Sequence, residues 1–299
     1  MKPINILFVG GGRRVSLGNR FLLKGCRLFS YEDDVNCPIS EIADITEGLR
    51  WKDPVIKDHL NSTCKALDID LIIPLQDEAI PLCCGLVSPC PASFEASQIC
   101  FDKSQFADAM RVYEEYPNPL PTDRVIVKPR YGFSSKGIYV TNYYNAPIIS
   151  DFVNQRYIEG TEYSVDCYFN KSSDLVGYVP RKRIFVQGGE VVHSITMNRS
   201  NPLYEKFGIF ISKAFKKIGA VGPYCIQFME CKGDIYIIEA NARFGGGVIL
   251  SLEAGFNIIG LMLFEYIFGD SVPVESPKWK EDFAMTRYFS EHFYDAVAK

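Results

Sequence analysis

No two cysteines in this 299-residue chain are spaced as CxxC, and only three histidines occur, so the Cys/His spacing of a zinc site is missing. No apolar stretch approaches the roughly 18 residues of a membrane-spanning helix. The opening run, MKPINILFV, passes into three glycines and Arg13-Arg14 without a small-residue cleavage site, so it reads as a first strand rather than a secretory leader. Lysine and arginine form no run and the net charge is −4, which argues against a nucleic-acid partner, whose affinity rests on neutralising phosphates. Internal repeats and low-complexity segments are missing too. The expectation is a protein with neither membrane nor nucleic acid as its partner.

What is present is ordinary in bulk: 47% hydrophobic and 23% charged residues, in a chain long enough for two or three packed units. Ten cysteines occur, several inside apolar segments such as EYSVDCYF (Cys167) and YCIQF (Cys225). A free thiol behaves there as a small hydrophobe, and the expected setting is the reducing cytoplasm.

Strand and helix signals alternate at the start. INILFVG (4–10) reads as a buried strand ending in a glycine turn, 13–24 as a helix, CRLFSY (26–31) as a strand, 54–67 as helical and DLIIPL (70–75) as another strand. That order implies a parallel sheet. Residues 90–101 read as a linker and 102–114 as a helix capped by Asp102, before the proline-rich break at 117–123 and a strand at 124–129. Strand signals then multiply as an antiparallel meander. A helix follows over 202–219, then a hairpin over 224–240 turning at Gly233, then a largely helical stretch over 247–269.

Four constellations carry chemistry. In the hairpin, Gln227 sits on one strand while Glu239, Asn241 and Arg243 alternate along the next. A strand sends every second side chain to one face, so oxygen ligands and a cation point together, a pattern suited to Mg²⁺ and phosphate. An ordinary hairpin with a polar outer face has the same look. Lys128 ends a strand and is followed by Gly132, Ser134, Ser135, Lys136 and Gly137, a flexible loop suited to a polyphosphate although it lacks the GxxxxGK[ST] order. The segment from Gln155 through Tyr157 and Ile158 to Glu162 offers backbone groups to a purine and a carboxylate to ribose hydroxyls. Gly10-Gly11-Gly12 matches a dinucleotide turn only in part, with Val15 at the third glycine position and Glu32 lying 20 residues past Gly12 (32 − 12). It keeps a nicotinamide-dependent oxidoreductase as a minor reading.

In order along the chain, these residues resemble the ATP-grasp superfamily, in its carbamoyl-phosphate-synthase-like and biotin-carboxylase-like branch of carboxylate–amine ligases. DLIIPLQDEAIPL resembles the third-strand segment of the domain that precedes the grasp module. Asp102-Lys103 resembles the head of that module, VIVKP with GFSSKG its phosphate-covering loop, QRYIEGTEYSVD its adenine and ribose hinge, and Gln227 with Glu239-Ala-Asn241-Ala-Arg243 its metal-binding hairpin. The resemblance implies an α/β and α+β fold. A parallel-sheet domain over 1–95 would precede a two-subdomain module with antiparallel sheets, a small part at 96–155 and a metal- and substrate-binding part at 156–299.

It implies ATP with Mg²⁺ or Mn²⁺ as cofactors. Lys103 and Lys128 would contact phosphates, loop 132–137 would close over them, Gln155, Tyr157 and Ile158 would meet adenine and Glu162 ribose. Glu239 and Asn241 would hold the metal with Gln227 assisting, and Arg243, with Lys128, would serve the transferred phosphoryl group. Arg181, Arg183 and His193 would line a substrate pocket, His193 as a structural neighbour rather than a base. Asp77 and Glu78 would bind a substrate amino group or cap a helix. The substrates would be a small-molecule carboxylate and amine, and a homodimer is expected by analogy alone. The alternative is a nucleotide-binding protein of the same fold without ligase turnover. The short stretch 103–124, with Pro117, Pro119 and Pro121, departs from the family pattern.

Overall fold

The apolar run Ile4–Val9 forms β1, and Gly10, with φ of +75°, turns the chain toward α1 (Val15–Leu22). Strands β2 (Cys26–Glu32) and β3 (Asp44–Glu47), helix α2 (Ile56–Ala66), strand β4 (Leu71–Pro74) and the single-turn α3 (Ile80–Cys83) follow. The four strands form a parallel sheet in the order β3-β2-β1-β4. Parallel strands covered on both faces read as continuous apolar runs, as β1 and β4 do. Strand β3, with the sequence DITE, carries no such run and went unread as a strand.

The computed structural model describes residues 2–132, 136–269, 272 and 277–294. The chain divides into two units: one comprises 1–92, 259–271 and 288–299, with the parallel sheet at its centre, and the other comprises 93–258 and 272–287.

The second unit opens on two short helices, α4 (Phe94–Phe101) and α5 (Lys103–Met110). The stretch expected as a linker, 90–101, is therefore mostly helical. Ser93 starts α4 by accepting from the Ala96 N–H at 3.2 Å, and Asp102 starts α5 by accepting from the Ser104 N–H at 3.0 Å. Strands β5 (Arg124–Pro129), β6 (Tyr139–Asn142) and β7 (Phe152–Arg156) make a small antiparallel sheet, order β6-β5-β7. A larger sheet uses β8 (Thr161–Phe169), β9 (Leu175–Gln187), β10 (Glu190–Thr196), β11 (Gly222–Cys231), β12 (Asp234–Asn241) and β13 (Ala284–Thr286), order β12-β11-β8-β9-β10-β13.

Helix α6 (Leu203–Lys217) covers one face of the large sheet with Phe207, Phe210 and Phe215. Phe207 and Phe228 meet at 4.9 Å between ring centres with their planes tilted by 60°, and Phe210 meets the same ring edge-on at 5.7 Å. The largely helical stretch over 247–269 consists of two helices, α7 (Val248–Glu253) and α8 (Ile258–Ile267), because Gly255 adopts φ of +115° and breaks the helical path.

Candidate functional site

The face of the large sheet opposite α6 is polar, and register places its residues in rows. Gln227 on β11 pairs with Glu239 on β12 and Ser164 on β8, and Ser164 pairs with Arg181 on β9. Cys225 pairs with Asn241 on one side and Asp166 on the other. On β12 this facing depends on a bulge. Gln227 pairs with Glu239 but Phe228 with Ile237, so Ile238 is one residue too many for its partner strand. Before the bulge the odd residues Ile235 and Ile237 are buried, and after it the even residues Ala240 and Ala242 are. The parity change turns Glu239 and Asn241 to the polar side. The carbonyl of the bulged Ile238 accepts a hydrogen bond from Lys128 Nζ at 3.3 Å.

Lys128 is 3% exposed, on the face of the small sheet that also carries Gln155, whose partner across the ladder is Ile126. Burial pushes its ammonium down to about 8, nearby Lys103 pushes the same way, and Glu239 and Glu162 oppose them. Burial likewise raises Glu162. Arg183, in an ion pair at 3.2 Å, lowers it again, Glu239 raises it and Lys128 lowers it. Lys128 thus lies within electrostatic reach of Glu239, Lys103 and Glu162, and Glu162 within reach of Arg183 and Glu239. Arg243 donates to Asn241 Oδ1 at 3.4 Å and to the Phe244 carbonyl at 3.3 Å.

One end of this arrangement is stapled by a cluster the sequence only half revealed. Arg130 grips Asp102 through two hydrogen bonds, Nε to Oδ1 at 2.8 Å and Nη2 to Oδ2 at 2.6 Å, and the Tyr131 hydroxyl adds a third at 2.9 Å. Burial works against the Asp102 charge, but these donors with Gln105 and the Ser104 N–H outweigh it and hold the carboxyl well below its usual range. The same staple brings Lys103 Nζ to the Gly132 carbonyl at 2.8 Å. The legible signal was an Asp-Lys pair opening a helix; the Arg130 clamp has none without the fold.

Other expected residues are placed less simply. The Tyr157 N–H, expected at adenine, donates to the Arg124 carbonyl at 2.8 Å, whereas the Ile158 N–H donates to no backbone carbonyl among the described residues. Gly137, with φ of +73°, and Lys136 lie in the described part of the loop, Lys136 exposed; Ser134 and Ser135 lie outside the described residues. His193 pairs with Phe185 and Thr286 beyond register shifts, apart from the row in which Ser194 meets Arg183. Asp77 and Glu78 form a 3₁₀ turn just past β4, in the first unit.

Arg181 corrects an expectation. Read as lining a substrate pocket, its side chain is 1% exposed and locked onto Asp166, with Nε to Oδ2 at 2.7 Å and Nη2 to Oδ1 at 3.0 Å, while Ser251 Oγ donates to Oδ2 at 2.5 Å. The physical reason is the triple-glycine turn above it: a Cβ on Gly247 would lie 2.5 Å from Arg181 Nη1, and one on Gly245 would lie 2.6 Å from Cys225 Sγ. The pair supports the turn that follows Asn241 and Arg243. Arg181→Met should destabilise the fold, read by urea unfolding, by about 3–5 kcal/mol by stranding the Asp166 charge, and adding Asp166→Leu should recover part of that loss. Asp166 itself was missed, although an aspartate inside the apolar strand EYSVDCYF is a visible anomaly.

Gly160 supports the hinge in another way. A Cβ there would fall 1.9 Å from the Glu230 carbonyl oxygen, so only glycine lets the segment before β8 lie against β11. Gly160→Ala should cost about 1–3 kcal/mol by thermal melting and shift Glu162 away from Lys128.

The donor set suits a hard cation. The Glu239 carboxylate makes no hydrogen bond among the described residues, its backbone pairing with Gln227, and Asn241 and Gln227 offer amide oxygens on the same face. Among the described residues no three His, Cys, Asp or Glu side chains converge as a metal cluster. One carboxylate with amide oxygens is an incomplete shell, of the kind Mg²⁺ completes with phosphate oxygens and water.

The glycine turn of the first unit is occupied from within. The Gly11 N–H and Ser30 Oγ both donate to Glu32 Oε1 at 2.5 Å. Glu32 is buried, and its carboxylate fills the place where the minor oxidoreductase reading required a free acid for ribose.

Comparison with known proteins bears on the family and the fold. Residues 100–247 match the ATP-grasp domain family. The large chain of carbamoyl phosphate synthase from Clostridium botulinum is 30% identical over 137 residues, covering 40% of this chain and 12% of that protein. The chain therefore spans only a small part of the curated relatives it matches. N5-carboxyaminoimidazole synthetase from Staphylococcus aureus, solved with ADP, superposes with a TM-score of 0.74 at 16% identity, covering 92% of this chain and 80% of that one. Biotin carboxylase from Campylobacter jejuni, solved as a β,γ-ATP complex, gives 0.71 at 17% identity, covering 92% and 73%. At such identities the superpositions speak for the fold, and the fold is the mixed α/β arrangement of a parallel-sheet unit followed by antiparallel sheets. The chain belongs to the ATP-grasp superfamily, with residues 100–247 as its ATP-grasp domain.

Proposed function

We propose that this protein is an ATP- and Mg²⁺-dependent ligase that joins a small carboxylate to an amine through an acyl phosphate. The observation that carries the reading is the bulge on β12, which turns Glu239 and Asn241 to the polar face while its free carbonyl holds Lys128 beside them. A purely structural hairpin has no use for a buried lysine among carboxylates. In this reading residues 96–155 are the small part of the nucleotide-binding module and 156–299 the part bearing metal and substrate.

Lys128 and Lys103 bind the phosphates, Lys136 and the glycines of loop 132–137 cover them, and Ser134 and Ser135 belong to that loop. Gln155 and the Ile158 N–H meet the base, the Tyr157 contribution being limited to its carbonyl. Glu162 meets the ribose, and Arg183 holds Glu162 in place. Glu239, Asn241 and Gln227 hold Mg²⁺, for which Mn²⁺ would substitute. A bound divalent ion supplies charge neutralisation at the phosphates. A carboxylate oxygen attacks the γ-phosphorus and ADP leaves. The amine lone pair then attacks the acyl carbon, phosphate leaves with the bonding electrons, and the amine loses a proton. Arg243 stabilises charge on the transferred phosphoryl group, since positioning and electrostatics carry most of such a transfer. Closure of the loop excludes water and protects the acyl phosphate.

The test has two stages. Mg·ATP should raise the melting temperature while NAD(P) leaves it unchanged. Phosphate release should then appear with one pair from a library of carboxylates and amines. ATP stabilisation without phosphate release from any pair would favour a nucleotide-binding protein that does not turn over.

A further inference from the structure

In the first unit, three side chains unconnected with nucleotide chemistry stand in a relay. Ser40 and Glu41 close the 3₁₀ turn Pro38–Glu41, and His292 comes from the 288–299 segment of the same unit. Ser40 Oγ lies 3.2 Å from His292 Nε2, and His292 Nδ1 lies 3.0 Å from Glu41 Oε1. An ionised carboxylate only accepts, so Nδ1 carries the proton of the neutral imidazole. Nε2 is then the bare nitrogen and accepts from the serine hydroxyl. The imidazole is further fixed by stacking on Tyr294, ring centres 5.4 Å apart at 28°. His292 is 12% exposed, Glu41 44%.

We propose that Ser40 is an activated nucleophile, with His292 as its base and Glu41 as the group that orients the base, and that this site takes activated phosphonyl or acyl esters. The nucleophile–base–orienter order is that of a serine hydrolase relay, recognised by geometry and role rather than by sequence position. With a fluorophosphonate, the Ser40 proton passes to His292 Nε2, an Oγ–P bond forms, the P–F bond breaks, and fluoride leaves with its electron pair. The proton then leaves the imidazole for solvent.

The backbone around Ser40 sets the limit of this chemistry. The Ser40 N–H donates to the Cys37 carbonyl at 3.0 Å and the Ile42 N–H to the Ile39 carbonyl at 3.1 Å, so neither is aimed at a developing oxyanion. Loss of one such donor typically costs about 10²–10³ in rate. The site should therefore be covalently labelled and only slowly released, a modifiable serine rather than an efficient hydrolase.

The test is labelling of the full chain with a fluorophosphonate probe, followed by peptide mapping. The expected result is one adduct, on Ser40, absent from Ser40→Ala and from a chain denatured before the probe is added. General-base assistance is commonly worth about 10²–10⁴, so His292→Asn should slow labelling by at least that lower figure. Glu41→Gln should slow it less. A wild-type chain without adduct, an adduct elsewhere, or an unchanged rate in His292→Asn would overturn the proposal; a histidine that merely pins the chain end gives the first or last of these. Because Ser40→Ala touches no residue assigned to the nucleotide, Mg·ATP stabilisation in that variant reads the ligase proposal separately.

Discussion

Glu239→Gln should reduce ATP-dependent phosphate release by at least about 100-fold while leaving the protein folded. The substitution keeps the shape of the side chain and removes its charge. The Glu239 carboxylate makes no hydrogen bond among the described residues, so none is lost, and the bulge that aims it is set by backbone register. Two effects combine. The divalent ion loses its one carboxylate in the Gln227–Glu239–Asn241 set, and Lys128 loses the negative charge that most supports its protonated form. The variant should show a melting temperature at or slightly below that of the parent and little stabilisation by Mg·ATP. Phosphate release equal to wild type would remove the metal role from Glu239 and, with it, the main support for the ligase reading.

Lys128→Met should act oppositely on stability and on binding. The lysine is almost fully buried and its pKa falls from 10.5 to about 8, so at pH 7 the native state still carries the proton but at a cost. The unfolded chain binds its proton more tightly, and stability rises with pH between 8 and 10.5 and is lost as pH falls through 8. Below 8 the native state carries the whole burden, on the order of 3 kcal/mol at 1.36 kcal/mol per pK unit. Replacing the ammonium with an apolar chain of similar length removes that burden, so the ligand-free variant should melt higher at pH 7. The same change removes a cation from the phosphates, and nucleotide stabilisation should largely disappear. In the parent, phosphate binding requires the charged form. Affinity for ATP should therefore weaken above pH 8, with proton uptake on binding visible by calorimetry in buffers of different ionisation enthalpy. A ligand-free Lys128→Met chain less stable than the parent at pH 7, or pH-independent ATP affinity in the parent, would contradict this account.

Both predictions concern residues visible in the sequence, but for different reasons. Lys128 was legible because a lysine closing the apolar strand VIVKP, before a glycine-serine loop, has few structural uses. Asp102 was legible as a helix cap, and local chemistry suffices for that. Its grip by Arg130 and Tyr131 was not, because those partners meet only when β5 is laid beside α5. Arg181 was misread for a related reason: a cationic strand looks like an anion site until its partner Asp166, 15 residues earlier, is seen across the ladder.

Composition and residue order alone determined the parallel sheet at the start, since apolar runs and glycine turns have short-range signatures, and the chain's motifs in order carried the resemblance to the ATP-grasp superfamily from which the groups proposed to serve a nucleotide were drawn. Only the tertiary structure decided which way those groups face. Strict alternation from the buried Ile235 and Ile237 would send Glu239 and Asn241 into the core. One surplus residue at Ile238 reverses the parity, because a strand has a period of two and a single insertion exchanges its faces.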